Sequence, residues 1–198
     1  MTNSNLDSVS GSRQFRGAML DCENRLNAAR YFLDRARQTG LGGQPYVWCI
    51  QAAVIFAISA VDILMYDYAE RKTGKPVKEE KFTLEDFKRI FGFCFESQFY
   101  DWLNEQLNQN KLYIFLRTER HKIVHRGEPP KKHELEIIQP LGSGQAKMRH
   151  RVFFEGWETQ TVEEACQSLV EWVASLVGKA KREFAELAEE ASRVSEAI

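Results

Sequence analysis

The sequence predicts an all-α fold, an up-down helical bundle with one inserted β-hairpin near residues 134–154. Apolar residues recur every three or four positions over most of the chain, the period of a helix with one buried face. Gly and Pro fall in tight clusters, at 40–45 and 127–130, that part the long periodic runs. Strand-like alternation replaces the helical period in a single stretch. The 198 residues, 43% hydrophobic and 28% charged, suit one domain over 1–198 with its own core. Neither internal repeats nor low-complexity segments divide it.

The first helix spans about residues 10–39, with Phe15, Met19, Cys22, Leu26, Ala29 and Phe32 on its apolar face. Gly40, Gly42, Gly43 and Pro45 end it. The second runs from about 45 to 72 and is so apolar between Val47 and Met65 that a membrane span competes as a reading. Gln51, Ser59 and Asp62 interrupt it and no basic cluster opens it, which favours a central helix buried on most sides. Thr83 and Asp86, spaced as a capping box, open a short helix ending near Gly92. A helix follows over about 96–108, with Phe99, Trp102, Leu103 and Leu107, then another over about 111–126, stopped by Gly127 and Pro129-Pro130. Leu135, Ile137 and Ile138, the turn LGSGQ, and Arg149 to Phe154 make the hairpin. Thr161 with Glu164 caps a last helix over about 161–195. At 1.5 Å per residue that helix is ~50 Å long, so its far end is expected to pack on a partner or fray.

Charge and cysteine usage narrow the class. Against 27 Lys+Arg stand 28 Asp+Glu, a formal net charge of -1, which excludes a protein that coats DNA indiscriminately. Cys22, Cys49, Cys94 and Cys166 sit in apolar stretches with no CxxC spacing, as buried free thiols of a reducing compartment do. The opening stretch MTNSNLDSVSGSRQ lacks the apolar core of a secretory signal. A cytoplasmic location without a membrane partner is expected.

Chemistry-bearing residues concentrate in LRTERHKIVHRGEPP, residues 116–130. Arg117, His121 and His125 share one helical stripe, being four residues apart. Arg120 lies about 140° from His125 on an ideal helix. Those two converge if the helix end is distorted or if a second copy of the chain supplies one of them.

This stretch and its helical context resemble the HEPN superfamily. Its members are small α-helical bundles whose ribonuclease branch carries Arg, a polar residue, three variable residues and His near the end of a late helix. Here the pattern reads Arg120-His121-Lys122-Ile123-Val124-His125, and Asp62 on the apolar second helix matches the acidic residue that faces the motif. The resemblance covers about residues 10–130 and the last helix, with the hairpin as an addition. It implies a metal-independent endoribonuclease that needs no cofactor. His125 would be the acid/base, Arg120 the clamp on the phosphorane oxygens, and His121 the group orienting the pair or the phosphate. Attack by the RNA 2′-OH would leave a 2′,3′-cyclic phosphate and a 5′-OH. The resemblance further implies a homodimer whose motifs line one cleft, a toxin or phage-defence role, and an antitoxin or sensor protein as partner.

Local charge fits an RNA ligand. Residues 117–133 hold six Lys/Arg against two Glu, a surplus of +4, whereas 155–198 hold four against ten, or −6. Arg117, Lys122, Arg126, Lys131 and Lys132 would meet the RNA backbone.

Plainer readings use the same residues. A non-catalytic HEPN-like module would bind nucleic acid, nucleotide or a partner protein. HEPN domains that pair with a nucleotidyltransferase carry Tyr two residues after the motif His, where this chain has Gly127. A purely structural bundle is a third reading. Arg120 would then serve as an ion-pair partner of Asp62 or Glu119. His121 and His125 have zinc-like HxxxH spacing but lack an adjacent Glu and an evident third ligand. His133 is expected in a loop and His150 at a strand start, both as surface residues. Trp48, Trp102, Trp157 and Trp172 are expected in the core.

Overall fold

The computed structural model describes residues 7–40, 43–73, 98–126, 131–138 and 147–196, with side chains over 21–40, 43–68, 99–120, 132–134, 150–183 and at 185. The helix expected from Thr83 and the cysteine at 94 lie outside the described residues. The described chain is mostly helical with one small antiparallel sheet: α1 Asp7–Thr39, α2 Gln44–Thr73, α3 Gln98–Gln109, α4 Lys111–Arg126, β1 Lys131–Ile138, β2 Lys147–Phe154 and α5 Val162–Glu196.

Gly40 ends α1 with φ +78, a left-handed conformation that terminates a helix at no steric cost to a residue without Cβ. So short a link returns α2 against α1, and the two pack along their length. The Cys22 thiol donates to the Ala60 carbonyl at 3.5 Å, and Phe32 stacks on Phe56 at 5.6 Å between centroids. The long α5 lies against both helices. Arg37 reaches Gln167 at 3.1 Å, and Lys181 pairs with Glu23. Between them sits one core, with Leu33 of α1, Ile58 and Leu64 of α2, Leu103 of α3, Leu116 of α4 and Leu169 and Leu176 of α5 all buried.

Gln44–Tyr68 is long and apolar enough to cross a membrane, and half of its most apolar stretch is buried inside the protein. The expectation for Trp48 fails, since this ring is 63% exposed. The buried face of α2 runs through Val47, Ile50, Val54, Ile58 and Val61, and at 100° per residue Trp48 falls on another side. Trp102, Trp157 and Trp172 do pack against the core. Cys22 and Cys166 are buried free thiols, whereas Cys49 is half-buried.

The hairpin starts earlier than its hydropathy suggests. β1 pairs with β2 from Lys131↔Phe154 to Ile138↔Lys147, so His133 belongs to a strand and not to a loop. Partner hydrogen bonds recruit the polar run KKHE, whose own alternation is too weak to mark a strand. Val152 and Phe154 carry β2 into the core, with Phe154 against Phe115 at 6.1 Å. Gly156, at φ +86, turns the chain toward α5. The capping box forms as expected. The Thr161 N–H donates to Glu164 Oε2 at 2.8 Å, and the Glu164 N–H to Thr161 Oγ1 at 3.3 Å.

Candidate active site

The candidate site is carried by α4, from Tyr113 to Arg120. Asn110 caps this helix, accepting a hydrogen bond from the Tyr113 N–H at 2.9 Å. Leu112, Tyr113 and Leu116 then bury one face. Tyr113, Arg117 and Arg120 are four and three residues apart, so they project on one side of α4, toward α2. Asp62 meets them there.

Arg120 Nη1 donates to Asp62 Oδ2 at 2.5 Å, and Arg117 Nη2 lies 3.9 Å from Asp62 Oδ1. Arg117 Nη1 also donates to the Tyr113 hydroxyl at 3.2 Å, with the guanidinium 5.9 Å from the centre of that ring. Tyr113 is fully buried and rests on Trp172 of α5, 4.9 Å between centroids. Burial pushes the Tyr113 phenol's pKa up while Arg117 works against that shift, so the hydroxyl stays protonated and its oxygen accepts from the cation. The carboxylate of Asp62 is 22% exposed and the side chains of Arg117 and Arg120 are 27% and 31% exposed. Two cations thus share one anion at the edge of the core. Among the described residues that leaves a surplus positive charge in a partly desolvated place, a setting in which any anion is attracted more strongly than at an open surface.

The structure brings together three of the residues predicted from sequence, Arg120, Arg117 and Asp62. Of the two partners foreseen for Arg120, it takes Asp62, while Glu119 is turned into the interior at 5% exposure. His121, Lys122, His125 and Arg126 continue α4, which is unbroken to Arg126. Their side chains lie outside those described, and the zinc alternative for His121 and His125 falls there too. Lys131 and Lys132 begin β1, and Lys132 is exposed and pairs with Glu134 at 3.0 Å. Among the described residues no three His, Cys, Asp or Glu side chains are grouped as a metal site would need.

Two features escaped the sequence reading. Tyr113 is one: its signal is the position four before Arg117, which extends the Arg117–His121–His125 stripe by one turn. The other is a contact between His133 Nδ1 and His150 Nε2 at 2.9 Å, with ring centroids 5.1 Å apart and planes within 23°. The register pairs His133 with Val152 and Leu135 with His150, so the two imidazoles are diagonal neighbours on one face.

A cavity of about 810 Å³ opens elsewhere, between α1, the starts of α2 and α5, and β2. Arg37, Tyr46, His150, Arg151, Glu163 and Gln167 are among its lining residues, and neither Asp62 nor Arg120 is. The chain matches no protein-family model, no curated protein and no solved structure.

Proposed function

We propose that the protein is a HEPN-type endoribonuclease whose active site is built on the Arg120–His125 segment of α4. The observation that carries this reading is the union of Asp62 with Arg117 and Arg120, because a shared carboxylate fixes two guanidiniums beside the helix end that bears the histidines. In the reaction, the ribose 2′-oxygen forms a bond to phosphorus as the bond from phosphorus to the 5′-oxygen breaks. His125 takes the 2′-OH proton or returns one to the leaving 5′-oxygen, each being a step suited to an imidazole near neutrality. Arg120 holds the non-bridging oxygens as negative charge builds on them. The products are a 2′,3′-cyclic phosphate and a 5′-OH, with no metal taking part.

A homodimer completes the site. Because α4 is unbroken to Arg126, Arg120 and His125 stay about 140° apart on it, and a second copy then supplies the missing member. The exposed Trp48 supports this, since this large apolar ring lies on the same face of α2 as Asp62. A cytoplasmic toxin or phage-defence effector, held by an antitoxin or sensor protein, is the setting that fits the reading. The competing reading is a non-catalytic HEPN-like module that binds nucleic acid, nucleotide or a partner. It draws on the 2.5 Å contact that engages Arg120 with Asp62.

The test is an RNA cleavage assay with end-group analysis, in EDTA, on wild type, Arg120→Ala and His125→Ala. Cyclic-phosphate ends from wild type and none from either variant are the expected result. Binding without turnover in the wild type would favour the module.

A further inference from the structure

We infer that Tyr113 is a positioning residue that keeps Arg117 available to a second phosphate of the RNA. This rests on the ribonuclease reading of the same site. Asp62 has two carboxylate oxygens and two guanidiniums near it, yet they are not shared evenly. Arg120 is in close contact at 2.5 Å, whereas Arg117 stands off at 3.9 Å, beyond hydrogen-bond distance. What holds it there is on the other side: Arg117 Nη1 donates to the Tyr113 hydroxyl at 3.2 Å, and the ring lies under the guanidinium.

Tyr113 is itself immobile. It is fully buried and packed against Trp172, so its oxygen is a fixed acceptor and not a mobile surface group. A neutral acceptor suits this task. It orients the cation without adding a further negative charge beside the phosphate. Arg120 and Arg117 thereby take different parts in the site. Arg120 is tied to the acid and grips the scissile phosphate. Arg117, charged and 27% exposed, meets the adjacent phosphate. The substrate class that follows is an RNA strand gripped across at least two consecutive phosphates, not a lone nucleotide. Removing the Tyr113 oxygen lets Arg117 fall onto Asp62 and costs that outer contact.

The experiment measures binding of a 2′-O-methyl RNA, which cannot be cut at the methylated positions, across a salt series, alongside steady-state cleavage of the unmodified RNA. Tyr113→Phe and Arg117→Gln are compared with wild type and with the double variant. Each phosphate contact to a single strand contributes about 0.7 to the slope of log affinity on log salt. Both single variants are expected to lose about that much slope, with KM raised roughly three- to tenfold and kcat changed far less. The double variant is expected to match Arg117→Gln, since the two residues act through one contact.

A purely structural role for Tyr113 would lower the melting temperature and leave the salt slope intact. An unchanged slope in Tyr113→Phe, with wild type cutting RNA, overturns the inference alone. A lost slope in a protein that never cuts RNA overturns the ribonuclease reading alone. Failure of the wild type to bind the RNA overturns both.

Discussion

Tyr113 and Tyr46 are both almost fully buried, and burial pushes both phenols' pKa up, but they meet opposite charges. Tyr113 faces Arg117, which works to lower its pKa, and belongs to a cluster with two guanidiniums for one carboxylate. Tyr46 faces Glu163, which adds to the upward shift, and lines the cavity where Arg37 and Arg151 are balanced by Glu163 and Glu164. The second region holds a cavity of about 810 Å³. Among the described residues, the first has the unbalanced charge. A polyanion is held by uncompensated cations in a partly desolvated setting, so volume alone is a poor guide to where RNA would react.

The largest expected effect separates the two regions by activity. Arg120→Ala is expected to cut RNA cleavage by roughly 10²–10³-fold, the range for losing one charge-stabilising donor. Arg151→Ala, in the cavity, is expected to leave the rate within twofold. If Arg151→Ala proves the more damaging of the two, the assignment of the regions is reversed.

A smaller effect concerns alkaline stability. Burial, then other charges including Glu163 beside Cys166, raises the Cys22 and Cys166 thiols from 9.0 to about 12. The folded state therefore keeps protons that the unfolded state gives up. The stability this provides is complete below pH 9 and is lost as pH climbs toward 12, by about 1.4 kcal/mol per pH unit for each thiol. Urea melts between pH 8 and 10.5 would measure the slope. Glu163→Gln should leave the slope close to wild type, because burial, the larger cause, still keeps the Cys166 thiol protonated across this range.

The smallest effect is on stability at neutral pH. Asp62→Asn leaves two part-buried cations without their anion and is expected to cost ~1–2 kcal/mol, discounted from the fully buried case for the exposure of the cluster. Glu163→Gln, in the balanced cavity, is expected to cost less than ~0.5 kcal/mol. Equal costs in chemical denaturation would erase the contrast in charge.

Much of the architecture was legible because its causes are local. The observed bounds of α4, Lys111–Arg126, are those set by its periodicity and the Gly127 stop, and the Thr161–Glu164 cap formed as written. Asp62 was expected to face the motif because of the family resemblance, and the plainer structural reading offered Asp62 or Glu119 as the partner of Arg120; the structure has Asp62. Failures arose where a residue's fate depends on a distant neighbour. Trp48 looks like core by composition but falls off the buried face of α2. His133 became a strand residue because β2 was there to pair with it, and the run KKHE carries no strand signal of its own.

Period, turn chemistry and charge within a few residues account for the described helices, the cap of α5 and the concentration of cations toward the end of α4. The placement of those cations depends on contacts between distant elements. That one carboxylate on α2 holds Arg120 closely and Arg117 loosely, and that Tyr113 takes up the remaining Arg117 donor, depends on how α2, α4 and α5 cross. No local spacing encodes that crossing, because it is set by the packing of a whole core.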